Sequence, residues 1–190
     1  MNSSNHERFS LETELLLLRP WKATDYDSFV QMNADHEVMR YFPNPLSPLQ
    51  SVEFARHLSE EISEQGWGMW VVELKATSEF VGMLGLQSRK SEEGILEHDF
   101  VEIAWRFNKA FWGQGLAPQA ANRVIKFAFE ELRLEAVYSF TALCNLPSQR
   151  VMQKVGMRDI KQPFQHPKLA PDSPLSWHCL YQITYIDWQR

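Results

Sequence analysis

Two glycines, Gly113 and Gly115, lie just before a segment with helical periodicity. At the start of a helix the backbone N–H groups have no partner within the helix, and the helix dipole favours negative charge there. Glycine lets a phosphate approach the backbone closely and reaches turn conformations that other residues avoid. The segment 112–117 is therefore predicted to form a cradle for a pyrophosphate group.

The same two glycines also fit a tight strand-to-helix connection that binds nothing, and the isolated motif leaves both interpretations open. A loop that binds a nucleoside triphosphate needs a following Gly-Lys-Ser/Thr, which this chain lacks. The third glycine of a dinucleotide-binding fingerprint is also missing. ATP and NAD are thus both disfavoured as ligands.

A second polar group lies at the beginning of a predicted helix over 146–155, which Gly156 ends. Asn145 and Ser148 can cap this helix or direct polar groups into a cleft. Arg150 fits a ligand contact or a solvated helix residue equally well. Because the two groups follow neighbouring predicted strands, they point to one binding cleft.

The elements that must position these groups follow from the spacing of apolar residues. The apolar run 15–18, stopped by Pro20, predicts a first strand. Two helices then follow, one from about Thr24 to Ala34 and one that begins at Ser47. Further strands are predicted at 67–74, 80–86, 100–107, 136–142 and 177–185, the first two as an antiparallel hairpin, with a helix over 116–132.

Length and charge limit the function. A chain of 190 residues fits one domain, 1–190, with a polar N-terminal tail at 1–12. The net charge of -5 and the lack of a polybasic run disfavour nucleic-acid binding. No apolar segment suggests a membrane span or signal peptide, and Cys144 and Cys179 show no pairing or metal-ligand spacing. We expect a reduced, cytoplasmic protein without metal or membrane contact.

The segment FVEIAWRFNKAFWGQGLAPQAA at 100–121 resembles the acetyl-CoA-binding motif of the GNAT N-acetyltransferases. That motif is usually written Gln/Arg-x-x-Gly-x-Gly/Ala, and Gly115 and Ala117 match it. Trp112 replaces the Gln/Arg, as is common in the branch of Rim-type ribosomal-protein N-terminal acetyltransferases. Gln119 stands where the family commonly has Glu, a change with no evident consequence in the sequence.

The segment 145–157 is similar to the family's Asn-x-x-Ser…Lys-x-Gly-Phe segment, with Met157 in place of the aromatic residue. The resemblance implies an α/β (α+β) fold with a mixed, mostly antiparallel sheet of about seven strands, helices on both faces and the order β-αα-βββ-α-β-α-ββ. Two strands of that fold splay apart, and the pantetheine arm of acetyl-CoA lies between them. The residues thereby assigned to acetyl-CoA are Ile103, Trp105, Phe107, Gly113, Gln114, Gly115, Leu116, Ala117, Asn145 and Arg150.

Acetyl transfer to an amine needs a free lone pair, a polarised carbonyl and a proton for the departing thiolate. Deprotonating an α-amine of pKa ~8 at neutral pH costs only about 1 kcal/mol, against about 4–5 kcal/mol for a lysine. By resemblance Glu102 is the candidate base, acting through a water, and a backbone N–H at 103–105 would stabilise the oxyanion. Glu102 is alternatively an ordinary strand carboxylate paired with Arg106 or a lysine.

The resemblance also suggests which residue acts as the general acid that protonates the departing thiolate. Many GNAT enzymes place a tyrosine where this chain has Met152, so an acid from that position is excluded. Ser148 is the substitute that the Rim-type branch suggests. Cys144 adjoins Asn145 and could be a covalent nucleophile, but a small buried thiol is the commoner explanation.

The sequence therefore predicts an enzyme, an N-acetyltransferase that moves the acetyl group of acetyl-CoA to a primary amine by direct attack. The acceptor is a protein N-terminal amine or a small molecule, and the chain is a monomer or homodimer. The alternative is a non-catalytic acyl-CoA-binding sensor or interaction protein with the same fold.

Overall fold

A computed structural model describes residues 9–190. The strands are β1 (Leu11–Glu12), β2 (Leu16–Arg19), β3 (Met69–Leu74), β4 (Phe80–Arg89), β5 (Phe100–Phe107), β6 (Ala136–Ala142), β7 (Arg158–Asp159), β8 (Phe164–Gln165) and β9 (Trp177–Thr184). The helices are α1 (Tyr26–Ala34), α2 (Pro48–Gln65), α3 (Leu116–Glu130), α4 (Leu146–Lys154) and α5 (Tyr185–Trp188).

The strands form one sheet in the order β1-β2-β3-β4-β5-β6-β9-β7, with β8 paired to β9. Every pairing is antiparallel except that of β5 with β6, which is parallel. β4 pairs with all of β5, from Arg89 opposite Phe100 to Gly82 opposite Phe107. By contrast β5 meets β6 only where Glu102 lies opposite Tyr138, so the two strands diverge beyond this point.

The predicted fold class is confirmed, and the predicted elements appear in the predicted order. The structure adds the short strands β7 and β8, the latter inside the proline-rich segment 163–174. The tail predicted at 1–12 was too long, because Leu11 is buried and pairs with Leu18. Residues 1–8 lie outside the described residues. β4 reaches Arg89 rather than ending at residue 86, since β5 offers a partner along its whole length.

The core joins the sheet to its helices through aromatic contacts. Phe29 of α1 packs edge-on against Trp21 and lies 6.5 Å from the ring of Phe80 on β4. Trp70 of β3 packs edge-on against Phe127 of α3, with ring centroids 5.6 Å apart. These contacts fix α1 on β4 and α3 on β3, the two strands that precede the diverging pair in the sheet.

Among residues 9–190, no helix has the length and apolar character that crossing a bilayer requires. Within the same range, no three His, Cys, Asp or Glu side chains are grouped so that they could hold a metal ion.

Candidate active site

The glycine turn lies between β5 and α3. Gly113 and Gly115 have φ of 75° and 77°, in the left-handed region that favours glycine, and Gly115 is the N-cap of α3. A Cβ added at either glycine would meet nothing within 4 Å, so open space lies above this turn. The indole Nε1 of Trp112 donates to the carbonyl of Phe107 at 2.8 Å, which ties the turn to the end of β5. The turn thus fits the pyrophosphate cradle predicted from the sequence.

We call the gap between residues 103–107 of β5 and 139–142 of β6 the β5–β6 cleft. The N–H of Asn108 donates across to the carbonyl of Val81 at 2.8 Å. Since hydrogen-bonded pairs alternate along an antiparallel ladder, the backbone groups of Ile103, Trp105 and Phe107 face the other way, towards β6. The Phe107 carbonyl is already bonded to Trp112, and the bridge at Glu102 and Tyr138 uses the N–H of Ile103. The free edge therefore runs from the Ile103 carbonyl to Trp105.

On the β6 side of the cleft, Asn145 caps α4. Its Oδ1 accepts from the N–H of Ser148 at 3.3 Å, and its Nδ2 donates to Thr141 Oγ1 at 2.8 Å and to Ser148 Oγ at 3.0 Å. Both side-chain amide protons are thus used within the protein, and the capping role considered from the sequence is present. The Ser148 hydroxyl donates no hydrogen bond within residues 9–190 and keeps its proton for another partner. Arg150 is exposed.

Two of the departures from the family pattern, Met152 and Gln119, have structural explanations. Met152 is buried at 1% exposure and packs in the core, where a tyrosine hydroxyl would need a partner. Gln119 accepts a hydrogen bond from Thr13 Oγ1 at 2.8 Å, and Thr13 Oγ1 accepts from the N–H of Leu16. Gln119 therefore fastens α3 to the β1–β2 connection, a contact between residues more than a hundred positions apart that no local signal reveals.

Glu102 is buried on β5 beside the cleft, at 4% exposure. Its Oε2 accepts from Arg89 Nε at 2.6 Å, and Arg89 also lies 3.4 Å from Glu93. Of the two sequence-based interpretations, the ion pair is present, but its partner is Arg89 rather than Arg106 or a lysine. Burial raises the pKa of Glu102, and the charge and hydrogen bond of Arg89 oppose that rise without cancelling it.

Next to this pair, aromatic and imidazole rings form a cluster made of Phe140, Phe164, His166 and His178. The rings of His166 and His178 are 4.9 Å apart, and the Arg89 guanidinium lies 5.8 Å above the ring of Phe140. Burial lowers the pKa of His178 to about 4 and also lowers the pKa of His166, so both are neutral at neutral pH. The cluster forms an apolar, uncharged wall beside Glu102.

Two other aromatic residues, Trp70 and Phe42, divide between the core and the surroundings of the cleft. Trp70 is fully buried, and its indole donates to the Phe9 carbonyl, so it belongs to the core. Phe42 lies in the 35–46 loop between α1 and α2, with the guanidinium of Arg106 4.2 Å from its ring centroid. In the same loop Arg40 lies over the Trp112 ring at 5.4 Å. This loop therefore reaches from β5 to the glycine turn.

Cys144 does not fit its sequence-based description as a buried thiol, because it is exposed in the turn that follows β6. The buried cysteine is Cys179, whose Sγ donates to the Thr141 carbonyl at 3.4 Å. The sequence did not reveal that Arg89 pairs with Glu102 or that Arg106 is buried beside Asn33. Both facts depend on how β4, β5 and α1 pack together.

A diverging parallel strand pair, with a glycine turn and a helix N-terminus beside it, defines a transferase that takes an acyl-CoA. The family model described as "Acetyltransferase (GNAT) domain" matches residues 16–158, and this chain belongs to that family. Family membership makes the chain an acetyltransferase with acetyl-CoA as its co-substrate.

Named relatives and solved structures agree with this assignment. The chain is 29% identical over 186 residues to FsC-acetyl coenzyme A-N(2)-transacetylase of Aspergillus fumigatus, covering 95% of this chain and 78% of the relative. It is 26% identical over 148 residues to the uncharacterized N-acetyltransferase YnaD of Bacillus subtilis, covering 78% and 82%. A GNAT-family acetyltransferase structure from Bacillus anthracis superposes with a TM-score of 0.77 at 24% identity, covering 92% and 98%, which supports the fold.

Proposed function

We propose that this chain transfers the acetyl group of acetyl-CoA to a primary amine by direct attack of the amine. The observation that carries the proposal is the β5–β6 cleft, which opens beside the glycine turn and has Glu102 at its closed end. A reactive group held at this point would lie next to a free strand edge and a buried carboxylate.

The residues that would hold the co-substrate form two groups. The pyrophosphate fits the backbone of Gly113–Ala117, where open space lies above the turn and the N–H groups of Leu116 and Ala117 begin α3. The pantetheine arm fits the free edge at Ile103 and Trp105. Asn145 can accept one more hydrogen bond from the cofactor, because the Ser148 N–H uses only one of the two lone pairs on its Oδ1.

In the reaction the amine nitrogen forms a bond to the carbonyl carbon, and the carbon–sulfur bond breaks. Glu102 receives the amine proton through a water, and its raised pKa makes it a better acceptor of that proton than an ordinary carboxylate. The free hydroxyl proton of Ser148 goes to the departing thiolate, and water returns a proton to Ser148 while Glu102 releases the amine proton to water. A backbone N–H at 103–105 stabilises the negative charge on the oxygen.

The acceptor belongs to the class of small molecules or protein N-termini that present a weakly basic primary amine. The name of the Aspergillus fumigatus relative specifies an N(2) nitrogen, which favours an amine carried by the carbon next to a carbonyl carbon. Membership in the Rim-type branch and a cytoplasmic location stay predictions. So do the monomeric or homodimeric state and the absence of nucleic-acid, membrane and metal partners.

One observation favours the alternative of a non-catalytic acyl-CoA-binding protein. Glu102 is bonded to Arg89 at 2.6 Å, and this guanidinium makes the buried carboxylate a weaker base than it would be without a partner. In this alternative the cleft binds acyl-CoA and the ion pair is structural.

Two measurements test the proposal. Thermal unfolding with and without acetyl-CoA should show stabilisation by about 2.7 kcal/mol at ~100 times the dissociation constant. The release of free thiol from acetyl-CoA is then followed across a panel of primary amines. Binding without thiol release would support the acyl-CoA sensor, and no thermal shift at millimolar acetyl-CoA would contradict both functions.

A further inference from the structure

The guanidinium of Arg106 is buried on β5 with few partners. The residue is 9% exposed, its Nη1 donates to Asn33 Oδ1 at 2.6 Å, and its Nε has no hydrogen-bond partner within residues 9–190. Within the same range Nη2 makes no hydrogen bond either, and no carboxylate lies within 4 Å of the group. The edge formed by Nε and Nη2 is therefore unpaired.

Buried arginines are ordinarily paired with carboxylates, because removing a charge from water is costly without a compensating charge. Here burial alone acts on the group and lowers the pKa of Arg106 to about 10, still far above neutral pH. Arg106 thus remains a cation at neutral pH. Its only charge-compensating contacts in the described residues are a neutral amide oxygen and the face of Phe42.

The direction of β5 relates Arg106 to the reaction centre. Glu102, Ala104 and Arg106 lie on one face of the strand, at successive spacings of about 6.6 Å along it. Ala104, between them, is half-buried and carries only a methyl group, so a small and partly exposed position separates the two charged side chains. An amine placed above Ala104, within reach of Glu102, would have Arg106 on its opposite side.

The surroundings of Arg106 are suited to enclose a ligand. Asn33 is fully buried, and its Nδ2 donates to Ser51 Oγ of α2 at 3.1 Å, which fixes the amide oxygen towards Arg106. The Asn33 carbonyl also accepts from the N–H of Leu46, so the 35–46 loop is closed at its base. Phe42, 38% exposed, lies at the tip of that loop over the guanidinium. The loop can therefore cover Arg106 while one edge of the guanidinium stays free.

We propose that Arg106 binds a carboxylate of the acceptor, and that the acceptor is a small amino acid-like molecule in which that carboxylate lies a few bonds from the amine. The free Nε–Nη2 edge matches the two oxygens of a carboxylate in a side-on, bidentate arrangement. Phe42 then covers the ion pair and keeps water from it. A protein N-terminus has an amide where this carboxylate would be, so the inference selects the small-molecule acceptor within the proposed function on which it rests.

The direct test compares acceptors that differ in the carboxylate, with kcat/KM expressed per unprotonated amine because a neighbouring carboxylate also raises the pKa of the amine. For the native protein, kcat/KM is measured for L-α-amino acids and for their carboxamides, by thiol release from acetyl-CoA. We expect the carboxylate form to be preferred by about 30-fold or more, the usual effect of a buried, hydrogen-bonded charge pair. In Arg106→Gln this ratio should fall to near one. In Arg106→Lys it should be intermediate, because lysine keeps the charge but lacks the two parallel N–H donors of the guanidinium. Arg56→Gln, which removes an exposed charge on α2, should keep the native ratio.

A second measurement uses binding rather than turnover. Each member of the panel is titrated by calorimetry into the native protein saturated with CoA, and carboxylic acids that lack the amine are titrated in the same way. Carboxylates should bind more tightly than carboxamides in the native protein but not in Arg106→Gln. If no amine is acetylated but carboxylate binding depends on Arg106, the proposed reaction fails and the carboxylate site stands.

Three results would overturn the inference. One is equal affinity and equal kcat/KM for carboxylates and carboxamides in the native protein, a comparison that does not depend on the folding of any variant. Another is a carboxylate preference that persists in a folded Arg106→Gln protein that still binds acetyl-CoA. Efficient acetylation of peptide N-termini with no activity on amino acids would likewise contradict it.

Discussion

Two buried arginines lie on strands of the same sheet in opposite circumstances. Arg19, on β2, donates to Glu73 from Nε at 2.7 Å and to both oxygens of Asp25 at 2.8 Å. Arg106, on β5, donates to one amide oxygen and has an unpaired Nε. The two residues are almost equally buried, at 7% and 9% exposure, so burial alone does not distinguish them.

The pKa values of the two guanidinium groups shift in opposite directions, because only Arg19 has carboxylate partners. Burial lowers the pKa of both guanidinium groups, but at Arg19 the hydrogen bonds and charges of Asp25 and Glu73 outweigh burial and raise it. At Arg106 nothing opposes burial. A buried cation with its counter-charges in place holds the fold together, whereas one without them is suited to receive an anion. The Glu102–Arg89 pair lies between these cases, because it is paired and also faces the cleft.

The largest effect is expected at Arg19. Replacing it in Arg19→Met leaves Asp25 and Glu73 without their partner in a buried position, so the free energy of unfolding should fall by about 4 kcal/mol. Urea unfolding followed by circular dichroism measures the change. A loss below about 1 kcal/mol would mean that the paired arginine is not the structural one, and the comparison with Arg106 would collapse.

The second-largest effect is expected for Arg89→Met, which breaks the ion pair between Arg89 and Glu102. The loss should be about 3 kcal/mol, less than at Arg19 because the Arg89 side chain is 23% exposed. Without Arg89 the pKa of Glu102 rises further. A carboxyl whose pKa is raised on folding stabilises the fold below its usual value of 4.5, and that contribution is lost as the pH rises through the folded value.

The cost of Arg89→Met should therefore be small at about pH 4 and grow with rising pH, which urea unfolding at several pH values will show. The control is the double variant Arg89→Met with Glu102→Gln, in which no buried carboxylate is left unpaired. It should recover stability and lose the pH dependence. A pH-independent loss would show that packing of Arg89, and not its charge, is what matters.

Glu102→Gln tests whether the paired charge on β5 also acts in the chemistry. The substitution keeps a hydrogen-bond acceptor for Arg89 but removes the base, so kcat should fall by about 30-fold, near 2 kcal/mol. The expected loss is moderate because an α-amine needs only a weak base. The acidic limb of the pH–rate profile should shift as well. An unchanged profile would reduce Glu102 to the same structural role as Asp25.

Local patterns in the sequence were enough to predict much of the fold and the glycine turn before α3, whose role in binding the co-substrate stays a prediction. The glycine turn and strand β5 were found because their signals lie within a few residues. Asn145 was recognised as a polar residue at a helix start, and it is the N-cap of α4. Its role towards the co-substrate, like those of Glu102 and Ser148, stays a prediction.

The charge partners were not predictable, because each depends on a different element. Arg89 reaches Glu102 across the β4–β5 ladder, in which Gln87 and not Arg89 lies opposite Glu102. Arg106 is buried only because α1 and the 35–46 loop cover that face of β5. The alternation of side chains along β5 places Glu102 and Arg106 on one face, which suggested an ion pair between them. Four residues of extended strand separate them, however, and each is bonded to a different partner.

The smallest effect is expected for Arg106→Met, and it completes the comparison. Methionine keeps the apolar contact with Phe42 and removes a charge that is desolvated without a carboxylate partner, while the Asn33 oxygen loses one hydrogen bond. These changes oppose each other, so the free energy of unfolding should change by no more than about 1 kcal/mol. Urea unfolding beside Arg19→Met, under identical conditions, gives the difference directly. A loss of unfolding free energy as large as that of Arg19→Met would make Arg106 a structural arginine. A small loss, together with a lost preference for carboxylate acceptors, is expected if the acceptor supplies the counter-charge of Arg106.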